Sequence, residues 1–215
     1  MVRSIRRQRI GSVLLLAACL PAGLLVASGL APHSIVRAQA PSTPLTTWDV
    51  TVVLPPRIVA GRPATLAALG VDGRLAAGVK VEVGEQQVTT DSTGRALFTA
   101  PASAGYVLAK ASGTTFATLV DPPAADPSPG VSVAPVISLH DQFSICGNAL
   151  SGRADGNLVK INGQLSLALA ASPECIVVLP GPKVAAGPAT IFIATDTAQF
   201  TAKTEIVSLA FEDPN

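Results

Sequence analysis

His140, Asp141 and Ser144 are the residues whose types could form a hydrolytic relay, and His140 is the single histidine after residue 40. Such a relay needs a nucleophile, a base and an orienting acid meeting in space. Neighbours on an extended strand point to opposite faces. An extended His140-Asp141 pair therefore cannot make the orienting contact, and the stretch reads as a polar loop before Phe143. G-x-S-x-G, Walker-type glycines and H-E-x-x-H are absent, and no cluster of carboxylates suggests glycoside chemistry. Asp72 and Asp91 are too few oxygen donors for calcium, which takes six to eight. Arg153-Ala154-Asp155-Gly156 differs from an integrin-binding tripeptide by the alanine between Arg and Asp. The pattern points away from an enzyme, and neither cofactor nor metal is expected. Two residues could bind by stacking: Trp48 and Tyr106 are the natural platforms for a sugar ring.

The first forty residues read as an address. Arg3, Arg6, Arg7 and Arg9 precede an apolar stretch, residues 10–31, and Ala38-Gln39-Ala40 offers small residues for a signal peptidase. This is the pattern of a secretory signal. Pro41 is a poor residue directly after that cut, and residues 10–31 are long enough to span a bilayer, so an uncleaved anchor is the second reading. The third is a lipid-bearing Cys19 in Leu16-Ala17-Ala18-Cys19. In each case the remainder lies outside the cytoplasm. Five of the fifteen basic residues sit in this segment, which has no acid, so the rest carries ten basic against fourteen acidic residues. That balance offers no footprint for nucleic acid.

Cys146 and Cys175 are the two cysteines outside that segment. An even pair in an exported chain reads as a disulfide; the other reading is two buried free thiols. Closing a loop of about 30 residues contributes roughly 3–4 kcal/mol in the chain-entropy view. A structural zinc site would need histidine help.

Frequent Pro and Gly between short apolar runs, with charged residues at only 13%, favour many short strands over long helices. Val79-Lys80-Val81-Glu82-Val83 alternates strictly, as a half-buried strand does. Asp91-Ser92-Thr93-Gly94 is a tight turn before Ala96, Phe98 and Ala100, which share one strand face. Seven short strands are expected between Trp48 and Val120. Asp121–Gly130 holds four prolines and reads as a stiff linker. Beyond it, Asn162-Gly163 is a hairpin signal, and the apolar run Cys175–Leu179 reads as a buried strand.

Val71-Asp72-Gly73, Gly78-Val79-Lys80-Val81, Thr90–Ala96 and Ala104-Gly105-Tyr106 resemble the carboxypeptidase regulatory-like domain and bacterial invasin-type Ig-like repeats. Gly147–Gly152, Asn157–Gly163, Ser172-Pro173 before Ile176–Pro180, and Ala186–Ala189 resemble the IPT/TIG domain over about 134–194. Leu150 stands where that family usually has phenylalanine. The resemblances imply two tandem immunoglobulin-like β-sandwich domains after an N-terminal signal or anchor helix. The expected division is 1–40 signal or anchor, 41–47 linker, 48–121 first sandwich, 122–131 Pro-rich linker, 132–211 second sandwich and 212–215 tail. They also imply a non-catalytic secreted or surface module of a bacterium, used for adhesion, spacing or protein interaction. The alternative is a carbohydrate-binding accessory module of the cell envelope. The partner is then an extracellular protein or polysaccharide, with residues 10–31 available to anchor the chain.

Mass spectrometry of the unreduced protein from fractionated cells checks the export reading. The expected product lies outside the cytoplasm, begins near Pro41 and is two hydrogens lighter than the dithiol. A full-length, reduced, cytoplasmic chain would overturn it.

Overall fold

The computed structural model describes residues 50–124 and 129–208. Trp48, Cys19 and the signal or anchor segment lie outside the described residues, as does the tail. The described chain is β-strand and loop, apart from one 3-10 turn at Ala154–Gly156.

Among the described residues, eight strands occupy the N-terminal half: β1 (Val50–Val53), β2 (Arg57–Val59), β3 (Pro63–Gly70), β4 (Lys80–Val83), β5 (Gln86–Thr89), β6 (Arg95–Thr99), β7 (Gly105–Ala111) and β8 (Thr114–Asp121). The C-terminal half repeats the number: β9 (Gly130–Val133), β10 (Val136–Ser138), β11 (Phe143–Asn148), β12 (Leu158–Ile161), β13 (Gln164–Ala171), β14 (Cys175–Leu179), β15 (Gly187–Ala194) and β16 (Gln199–Val207). In the first half β1, β3 and β6 pair in one sheet, and β2-β8-β7-β4-β5 form the other. In the second, β9-β11-β14 and β10-β16-β15-β12-β13 repeat these two orders, and β13 also pairs with β14, which joins them into one continuous path. Each pairing within the first half recurs in the second with the strand number raised by eight; the β13–β14 pairing is the addition. This is the order of an immunoglobulin-type sandwich.

The repeat extends to how each first strand changes sheets. Proline cannot donate to a ladder, and Pro55-Pro56 stops β1 as Pro135 stops β9. The chain then crosses to pair in parallel with the last strand of its half, β2 with β8 and β10 with β16. A buried threonine fixes each crossing. Thr118 Oγ1 donates to the Pro55 carbonyl at 2.5 Å, and Thr204 Oγ1 donates to that of Ala134 at 2.8 Å. The next backbone amides, Leu119 and Glu205, donate to Pro56 and Pro135. Seven strands are expected from the sequence before Val120, and the apolar run 131–138 reads there as one segment; β2 and the break at Pro135 are the corrections. A strand of three residues is too short to show alternation.

Turn chemistry follows local expectation. Asn162 and Gly163 take φ values of 48° and 79°, the left-handed pair a two-residue hairpin requires. Ala96, Phe98 and Ala100 are buried together, and Val79, Val81 and Val83 share the same core.

Two cores fill the halves, one around Leu66, Val81 and Phe98, the other around Ile145, Ile176 and Ile191. A third cluster takes residues from both: Val53 and Ala67 meet Leu169, Ala170 and Val177. The sequence reading did not anticipate this seam. β3 and β14 therefore bury side chains on both faces, which is why Leu66–Leu69 and Cys175–Leu179 are continuous apolar runs. Thr65 pairs with Ala171 across the seam. Thr65 Oγ1 also donates to the Gly152 carbonyl and accepts from the Ala154 amide.

Gly94 tests the coupling. Its φ is +70°, and an added Cβ would stand 2.6 Å from Leu75 Cβ and 2.8 Å from the Ala76 nitrogen. With a Pro-rich linker separating the halves, the sequence predicts that Gly94→Val destabilises the first and leaves the second largely folded. With the seam in place, the expected loss is about 3 kcal/mol or more from strain and overpacking. It should appear in hydrogen exchange as weakened protection in β13 and β14 as well as in β3 and β6. Unchanged protection in β13 and β14 would show that the seam does not couple the halves.

Candidate functional site

The residues singled out for chemistry do not converge. His140 is exposed in the loop after β10, with Nε2 3.4 Å from Ser208 Oγ. No hydrogen bond joins it to Asp141 or Ser144 among the described residues. Cys146 and Cys175 sit opposite one another in the β11–β14 register and form a disulfide, with Cα atoms 4.1 Å apart. Arg153 and Asp155 pair with each other at 3.2 Å. Among the described residues, no group of three or more His, Cys, Asp or Glu could hold a metal ion.

Asp91 is consumed by its turn. Its Oδ1 accepts from the Thr93 hydroxyl at 2.7 Å and the Thr93 amide at 2.8 Å. Those bonds favour the ionised form and hold its pKa below the ordinary carboxylate range. Arg95, next along, crosses the seam. A register shift between Ala168 and Ala170 interrupts the β13–β14 ladder. Arg95 donates from Nη2 to the Ala168 carbonyl at 2.7 Å and from Nε to that of Leu169 at 3.2 Å. Burial lowers its pKa, opposed by Asp91 and Asp155. These groups line a cleft of about 150 Å³ between the halves, with Arg153 and Leu97. Each of its charged side chains already has a partner in the fold, so the cleft is part of the seam.

A second cluster lies where the Ser172–Glu174 turn meets β2 and the end of β8. Ser172 is fully buried, and its hydroxyl donates to the Arg57 carbonyl at 2.6 Å. Arg57 Nε pairs with Asp121 at 2.7 Å. Glu174 packs beside them, and its Oε2 is buried without a hydrogen-bond partner among the described residues. Burial first, and then the negative Asp121, raise its pKa, with Arg57 opposing. A protonated Glu174 can donate to Asp121; an ionised one faces a second carboxylate. Sequence reasoning missed this cluster, because Arg57, Asp121 and Glu174 are far apart in the chain.

The third place is the outer face of the β4–β7–β8 sheet. On β7, side chains alternate, so Val107, Ala109 and Ala111 enter the core while Tyr106, Leu108 and Lys110 face out. Tyr106 is 79% exposed and Leu108 48%. Glu82 stands opposite Lys110 in the β4–β7 register. These residues and the Gly84 turn line a cleft of about 280 Å³. Tyr106 is thus a platform as its type suggested; Trp48 lies outside the described residues. Exposed leucines also dot the outer face of the second half, Leu158 on β12 and Leu165 on β13.

No family model matches this chain. No curated protein matches it either. Solved structures with similar architecture include the Bacteroides ovatus mixed-linkage glucan utilization locus protein SGBP-B, in complex with a mixed-linkage heptasaccharide. Its identity is 17% and TM-score 0.32, covering 70% of this chain and 43% of that one. Domains 4-9 of the surface layer protein SbsC match at 11% identity and TM-score 0.28, over 75% and 31%. The fibronectin(III)-like modules of Clostridium thermocellum CbhA match at 16% and 0.24, over 74% and 93%. The chain spans less than half of the first two. These likenesses are too distant to bear on function, and the sandwich assignment rests on the strand order itself.

Glu174 supplies a pH test. A folded pKa raised above the unfolded one means the folded state holds the proton more tightly. Stability then falls as pH rises from the unfolded value, about 4.3, and levels off above the raised value. Asp91 and Asp155, with lowered pKa values, act oppositely and at lower pH: their stabilisation is lost as pH falls below the ordinary range. Glu174→Gln is expected to raise Tm at neutral pH and to match the parent in acid. A Tm difference independent of pH would count against the assignment.

Proposed function

We propose that this chain is a non-catalytic module of the bacterial cell envelope, exported and held outside the cytoplasm, that works as a rigid spacer or adhesion unit. The observation that carries the reading is the seam. Val53 and Ala67 packed on Leu169, Ala170 and Val177, with Arg95 bound to β13 carbonyls, make the halves one body rather than beads on a string. A spacer transmits position only if its parts do not swing. The Cys146–Cys175 bond suits an oxidising compartment, and the basic-then-apolar start suits export. Residues 48–121 and 132–211 are read as the two sandwich domains, the first carboxypeptidase regulatory-like or invasin-type and the second IPT/TIG-like. The second reading, a carbohydrate-binding accessory module, is favoured by the exposure of Tyr106.

Small-angle X-ray scattering tests rigidity. The parent is expected to fit one compact shape. Arg95→Ala combined with Val177→Asp removes two carbonyl bonds and places a charge in the seam, which costs several kcal/mol. That variant should extend measurably while each half keeps its strand signal in circular dichroism. A parent that already scatters as two independently moving bodies would overturn the rigid-spacer reading.

A further inference from the structure

We infer that the cleft on the outer face of β4 and β7 is a subsite for one uncharged sugar ring, with Tyr106 as its stacking platform and Glu82 and Lys110 as its hydrogen-bonding arms. This deepens the second reading above and rests on it.

A single exposed tyrosine is ordinary on a protein surface; three further features separate this one. First, Glu82 and Lys110 occupy directly opposed register positions, where opposite charges normally pair. Yet neither takes part in an ion pair or a side-chain hydrogen bond among the described residues. An ammonium offers three donors and a carboxylate only acceptors, so together they can serve hydroxyls that both donate and accept. Second, Tyr106, Leu108 and Lys110 are spaced by two along β7 and share one face. The tyrosine ring thus has an apolar neighbour on the side toward Lys110. A pyranose presents polarised C–H groups from one face, and the electron-rich face of an aromatic ring attracts them. Its hydroxyls, at the ring edge, then meet charged partners, whose hydrogen bonds are stronger than neutral ones.

Third, size and charge select the occupant. The cleft measures about 280 Å³, room for one small ring. Its one acid and one base cancel, so it offers no net attraction to a uronate, a phosphate or a strongly charged peptide. A neutral hexose or N-acetylhexosamine within a longer chain fits these constraints.

Tyr106 is the only tyrosine in the chain, so its ring resonances in NMR report on this site alone. The probes are hexasaccharides of β-1,4-glucose, β-1,4-N-acetylglucosamine and α-1,4-glucose, titrated into the purified exported chain. At least one is expected to shift the Tyr106 ring resonances saturably. Isothermal titration calorimetry with that probe should show Tyr106→Ala weakening binding by about tenfold or more, the loss expected for a stacking contact. Tyr106→Phe should keep the affinity within a few-fold, and Glu82→Gln and Lys110→Gln should each weaken it with Tm unchanged. Tyr106 resonances that ignore all three probes, or binding that survives Tyr106→Ala at parental affinity, overturn the subsite. The rigid-spacer reading is judged separately by scattering, so either can fail alone.

Discussion

A register shift in β13, between Ala168 and Ala170, breaks the regular ladder with β14 in the middle of the protein. Buried carbonyls without donors cost free energy comparable to a lost hydrogen bond. Arg95, from the other half of the chain, supplies donors to the Ala168 and Leu169 carbonyls. The irregularity in one half is thereby satisfied by the other. An apolar cluster also joins the two halves, Val53 and Ala67 against Leu169, Ala170 and Val177, and the partial burial of these hydrogen bonds strengthens them. Burial of the arginine lowers its pKa, yet a guanidinium stays charged over the physiological range, so the contact persists with pH.

The two halves otherwise solve one folding problem twice. A strand that starts in one sheet and finishes in the other must leave its first ladder cleanly. Prolines at 55, 56 and 135 end that ladder, and Thr118 and Thr204 bond the carbonyls exposed at the crossing. The same polar device at the same place in each half shows that the crossing is a constraint of the sandwich. The halves differ in what they add. The second carries the disulfide across β11 and β14, while the first presents the exposed tyrosine on β7 and the arginine that reaches the seam.

Legibility of the fold tracked the range of the forces involved. Val79–Val83 announced a one-faced strand because its alternation is complete within five residues. Asp91 and Gly94 announced a turn because an Asx bond and a positive φ are local. β2 escaped notice because three residues after two prolines carry no period. The seam left a signal, since Leu66–Leu69 and Cys175–Leu179 are apolar on both faces, but that pattern says only that a strand is covered twice, not by what. Of the candidate sites, the outward facing of Tyr106 beside Lys110 could be read from spacing on β7. The place of Glu82 opposite Lys110, and of Glu174 beside Asp121, could not.

By itself the sequence determined the all-β class, most strand positions, the tight turns and the even cysteine pair. Each follows from backbone geometry and composition within a few residues. Only the tertiary structure decided the partners: that Arg95 meets carbonyls 73 and 74 residues away, and that Ser172 reaches Arg57 across 115 residues. Hydrogen bonding and burial act through space, and chain distance does not encode which faces come to lie together.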